Sequence, residues 1–99
     1  MLHDPLFSLE VRRCDAGTVV AVTGELDVAT APQLALALAH AEGEVTVDLS
    51  GATFADPATL CVLLAARDSG CHLRVLRRSD GPVARLLTLT GTEAALQVL

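Results

Sequence analysis

"EVTVDLSGATFADPATLCVLLAARDSG", residues 44 to 70, reads as a strand, a connection and a helix in direct succession. From Glu44 to Ser50 the apolar residues Val45, Val47 and Leu49 alternate with polar ones, the period-two signature of a strand with one face on a core. Ser50 to Ala55 reads as the connection. Asp56 suits the N-cap of a helix that begins at Pro57 and runs to about Ser69, where Gly70 stops it. Its carboxylate can accept the free N–H of Ala58 or Thr59, and its charge is favourable at the positive end of the helix dipole. Pro57 falls at the first helical position, where its missing N–H costs nothing. By residue chemistry alone, Asp-Pro is a helix start and nothing more.

The flanking sequence extends the alternation. Upstream, Phe7, Leu9 and Val11 alternate with Ser8, Glu10 and Arg12, which predicts a strand over Leu6 to Arg13. Cys14-Asp15-Ala16-Gly17 is a turn, and "TVVAVTGELD", 18 to 27, is a second strand. Its near-continuous apolar run predicts burial on both faces. So short a link between two strands predicts an antiparallel hairpin. Thr30-Ala31-Pro32-Gln33 has capping-box spacing and opens a helix with Leu34, Leu38 and Ala41 on one face and Gly43 as its terminator. Downstream, "CHLRVLR", 71 to 77, is a strand and "SDGP", 79 to 82, a turn. Val83, Leu86, Leu87 and Thr90 mark a third helix closed by Gly91, and "ALQVL", 95 to 99, is a last short strand. Strands alternating with helices predict an open sheet with crossover helices. The 71–77 strand should run parallel to 44–50, because a whole helix separates them.

Bulk properties narrow the function. Ninety-nine residues make one small domain, here 6 to 99 behind a loose leader, 1 to 5. The chain is 52% hydrophobic, yet Phe7 and Phe54 are its only aromatics, so the core must be aliphatic. A net charge of −5, without a basic stripe, argues against nucleic-acid binding, where phosphate neutralisation supplies most of the affinity. Arg12-Arg13 and Arg77-Arg78 read as solvated strand ends. Three cysteines, 14, 61 and 71, with no CxxC and no secretory leader predict reduced thiols in a cytoplasm. The longest apolar run, Leu60 to Ala66, is far short of a membrane span. Cys71-His72 lacks the further ligands that structural zinc requires. His3, His40 and His72 stand apart from any nucleophile–base pair, and there is no Gly-rich phosphate loop, so neither enzymatic activity nor a cofactor is expected.

Three segments, "VTGELDVATAPQL", "VDLSGATFADPATLCVLL" and "RLLTLTG", together resemble the STAS domain, the module of bacterial anti-sigma-factor antagonists. The resemblance runs from about Phe7 to Leu99 with the segments in order and in register. It implies an α/β fold: a mixed four- to five-stranded β-sheet with three or four helices packed on it. Members of that family usually carry Asp-Ser-Ser/Thr-Gly-Leu where this chain has Asp56-Pro57-Ala58-Thr59-Leu60. In them the serine after the aspartate is phosphorylated by a partner kinase that is also the anti-sigma factor. The unphosphorylated form binds that kinase, and the phosphorylated form is repelled.

Such a switch works because a phosphate brings nearly two negative charges and added bulk to an interface that had neither. It requires an outward hydroxyl on the first helical turn, and neither Pro57 nor Ala58 supplies one. Thr59 lies about 200° further round the helix at ~100° per residue, and its expected role is a local hydroxyl–backbone bond. The resemblance also places Asp27 in a loop beside the phospho-acceptor position, with Asp48 and Ser50 ending a strand that points the same way. The expected partner surface is therefore Asp27, Thr30, Asp56, Pro57, Ala58 and Thr59, in which Asp27 and Asp56 together make an acidic patch suited to a basic partner. The resemblance implies a non-enzymatic regulator bound by an anti-sigma factor or serine-kinase-like protein, unswitched at Pro57, as monomer or dimer. The alternative it leaves open is a small-ligand sensor or an accessory subunit of a bacterial transport complex.

Overall fold

A two-residue loop, Asp15-Ala16, joins β1 (Phe7–Cys14) to β2 (Gly17–Leu26), and the two pair antiparallel from Phe7↔Gly24 to Cys14↔Gly17. In the computed structural model, which describes residues 6 to 98, the chain continues through α1 (Ala31–Ala39), β3 (Glu44–Ala55), α2 (Pro57–Asp68), β4 (His72–Leu76), α3 (Pro82–Thr90) and β5 (Gln97–Val98). The leader expected at 1 to 5, with His3, lies outside the described residues.

The sheet order is β1-β2-β3-β4-β5, with β2 to β5 mutually parallel. Mixed strands and three helices are the α/β architecture the sequence predicts. Each parallel strand is the direct neighbour of the one before it, so every crossover steps the same way. Right-handed crossovers stepping in one direction put all their helices on one face. The core accordingly lies on a single side of the sheet. There Val20, Val22 and Leu26 of β2, Val45, Val47 and Leu49 of β3, and Leu73 and Val75 of β4 meet Leu34 and Leu38 of α1, Leu60 and Leu63 of α2, and Val83 and Leu87 of α3. Burial of both faces of β2 is thereby corrected. Val19 and Ala21 are only partly covered and Thr23 is exposed, because no helix is wound over that side.

β3 is longer than its sequence pattern indicates. Ser50 to Ala55 is strand, not connection, and pairs as far as Leu26↔Ala55. The register slips between Ala21/Thr23 and again between Gly24/Glu25, so β3 spends extra residues against β2. Buried positions run Val45, Val47, Leu49 and then Ala52, a phase shift of one residue at the first bulge. That shift hides the strand from a period-two reading. The first helix ends at Ala39 with His40 as its C-cap, and Gly43 falls in the loop ahead of β3. Gly91 closes α3 in the left-handed conformation, as expected.

Candidate functional site

The C-terminal ends of β2 and β3 form one rim of the sheet, and the starts of α1 and α2 rise from it. Leu26 and Ala55 are the last paired residues, so Asp27 and Asp56 each follow directly on adjacent strands. The Leu26 carbonyl ties the two together. It accepts the Asp56 N–H at 3.1 Å and the Thr59 hydroxyl at 3.2 Å.

Asp56 is the N-cap of α2, in extended conformation, and its Oδ1 accepts the Ala58 N–H at 2.9 Å. Pro57 occupies the first turn and is exposed; Ala58 is partly exposed. The tip of the helix therefore faces solvent with a ring and a methyl group. Thr59 does not. The residue is 1% exposed and its hydroxyl bond reaches inward to Leu26, thirty-three residues away in sequence. A bond to nearby backbone was expected, but the side of α2 that carries Thr59 packs over the end of β2.

The Asp27 loop is held by its own side chains. Asp27 Oδ1 accepts the N–H groups of Ala29 and Thr30 at 2.9 and 3.0 Å, and the Asp27 N–H donates to Thr30 Oγ1 at 2.9 Å. The single Thr30 hydroxyl proton has its shortest acceptor in the Glu25 carbonyl, at 2.7 Å. Thr30 is thus folded back into the loop, makes no side-chain cap on α1, and is buried. The capping box expected from its spacing with Gln33 is absent, because the Asp27 and Glu25 groups compete for the same hydroxyl.

Of the six residues expected at the surface, Asp27, Asp56, Pro57 and Ala58 share the exposed rim, whereas Thr30 and Thr59 lie inside and brace it. Asp48 and Ser50 are not at a strand end either. They sit within β3, where the Ser50 hydroxyl donates to Asp48 Oδ1 at 2.6 Å. Two apolar side chains join the rim that sequence reasoning did not single out. Val28 is 76% exposed beside Asp27, and Phe54 is 47% exposed two residues before Asp56. Phe54 pairs across from Glu25 on the open face of the sheet. The available signal was its rarity: one of two aromatics, placed next to the Asp-Pro helix start.

Arg77 also departs from expectation. It is largely covered, its Nε is buried without a partner, and its guanidinium lies 3.7 Å from Glu93, so it is not a solvated strand end. Burial pushes the Cys71 thiol above its ordinary value. No helix among the described residues is long and apolar enough to cross a membrane.

A family model described as "Mlab, STAS domain" matches residues 9 to 98, so the chain belongs to the STAS family. Its fold is similar to that of an anti-sigma factor antagonist from Mycobacterium paratuberculosis, with a TM-score of 0.82 and 29% identity over 98% of this chain and 89% of that one. An antisigma-factor antagonist STAS domain from Rhodobacter sphaeroides shares the fold at a TM-score of 0.58, with 22% identity over 81% of this chain and 90% of the other. Among curated proteins, none matches the sequence.

Proposed function

We propose that this chain is a non-enzymatic regulator of the anti-sigma-factor-antagonist type that docks on a protein partner through the rim at the start of α2, and that phosphorylation does not switch it there. The observation that carries the reading is the state of the α2 tip. Pro57 is exposed where the resemblance puts the acceptor serine, and the one hydroxyl in the first turn of α2, Thr59, is buried and bonded to Leu26. Asp27 and Asp56 give the rim negative charge, and Val28 and Phe54 give it apolar area. A partner of complementary make-up offers basic side chains around an apolar centre, since charge steers the encounter while buried apolar contacts hold the complex. An anti-sigma factor with a kinase-like fold is the proposed partner, met in the cytoplasm.

The test pairs binding with phosphorylation. The host's anti-sigma kinases are presented to the chain in pull-down, then incubated with it and ATP, with products read by intact mass. Wild type is expected to bind one of them and gain no phosphate. Pro57→Ser, which a first helical turn tolerates, is expected to fold and to gain one phosphate. A stoichiometric phosphate on wild type, or no binding to any such kinase, would refute the reading.

A further inference from the structure

β1 is the edge of the sheet, with no described strand beyond it. Antiparallel pairs alternate between couples that exchange backbone hydrogen bonds and couples that do not. The Glu25 N–H donates to the Leu6 carbonyl at 2.9 Å, which sets the parity. Ser8, Glu10, Arg12 and Cys14 direct their backbone groups inward to β2, and Leu9, Val11 and Arg13 direct theirs outward along the free edge.

Exposed edges are usually blunted by charges that repel a second strand. The charges here are instead arranged symmetrically about Val11, Glu10 on one side and Arg12 on the other. Both lie on the open face of the sheet, where Arg12 Nε is 3.2 Å from Glu10 Oε1. An antiparallel self-pairing centred on Val11 sets Glu10 opposite the partner's Arg12, and Arg12 opposite the partner's Glu10. Opposite charges in directly facing positions stabilise a strand pair, and like charges oppose it. On the other face Val11, 46% exposed, meets its own equivalent, and Leu9 meets the aliphatic stem of the partner's Arg13. The outward-pointing backbone groups of Val11 are those such a pair would use at its centre.

We infer that a second copy of this chain pairs along the β1 edge, antiparallel and two-fold about Val11, joining the two sheets into one. The arrangement is isologous and closed, so it stops at the dimer. It sends the two α2 tips to opposite rims and leaves both accessible. It rests on β1 alone and stands independently of the docking reading.

Charge reversal tests it on the full chain, by sedimentation equilibrium with circular dichroism to verify folding. Wild type is expected to approach twice its 10.3 kDa mass as concentration rises. Glu10→Arg and Arg12→Glu, each placing like charges in register, are expected to stay monomeric when studied singly. Mixed together, they are expected to form a heterodimer, because one copy then presents two cations to two anions. The double variant Glu10→Arg/Arg12→Glu restores alternation and is expected to dimerise like wild type. A wild type that remains at 10.3 kDa, a dimer that survives either single reversal, or single variants that fail to combine would each overturn the inference.

Discussion

The Thr59 hydroxyl donates to the carbonyl of Leu26 across 3.2 Å, binding the first turn of α2 to the end of β2 inside the molecule. The same carbonyl accepts the Asp56 N–H, so it stays satisfied if the hydroxyl is removed. Thr59→Val, which keeps the branched shape, is expected to cost about 1 kcal/mol in denaturant unfolding. Thr59→Glu buries an unpaired charge and is expected to cost more than about 3 kcal/mol or to prevent folding. Equal stability of Thr59→Glu and wild type would show that this side chain reaches solvent.

Phe54 is half-exposed and contributes little to the core, so Phe54→Ala is expected to change stability by less than about 1 kcal/mol. If the rim docks a partner, losing a central aromatic is expected to weaken that complex by about tenfold or more, measured by calorimetry. Tight binding retained in both Phe54→Ala and Val28→Ser would move the interface elsewhere.

Two glycines with positive φ separate backbone strain from steric conflict. At Gly17, with φ of +148°, an added Cβ would stand 2.0 Å from the Glu44 carbonyl oxygen. Gly17→Ala is expected to cost on the order of 3 kcal/mol or more, since backbone must shift. At Gly70, with φ of +100°, nothing lies within 4 Å, so Gly70→Ala carries only the conformational cost, roughly 1–2 kcal/mol. Thermal unfolding of the two variants side by side measures the difference.

The thiols should be distinguishable by reagent. Cys14 and Cys61 are exposed, whereas Cys71 is partly covered and its burial raises its pKa. Since the thiolate is the nucleophile, timed alkylation read by peptide mass is expected to modify Cys71 last. Folding favours the neutral thiol, so this contribution is full below the ordinary thiol value and falls as pH rises through the raised one.

Strand and helix order could be read from the sequence because β1, α2 and α3 each carry a clean period or a cap at the right place. Asp56 capped as its chemistry required. The second half of β3 escaped because two bulges break the alternation that identifies a strand, and period alone cannot anticipate them. Val19 and Ala21 suggested a second buried face because small apolar residues look alike whether covered or not. Which way the crossovers step is a property of the whole chain, not of β2. At the rim, Asp56, Pro57 and Asp27 were visible as local chemistry. Thr30 was misplaced because the Glu25 carbonyl, five residues back, competes with the cap for its hydroxyl, and Thr59 because its partner, Leu26, lies on a neighbouring strand end that no local spacing reveals.

Running β2 to β5 parallel also gives the module a front and a back. All three helices start at the rim that holds Asp56, and the opposite rim carries the Asp15-Ala16 turn, the helix ends and the entries to β3, β4 and β5. Peptide tags, fluorophores or fused domains attached at that turn would hang away from the rim that holds Asp27 and Asp56. If the rim docks a partner as proposed, an attachment there leaves that surface free.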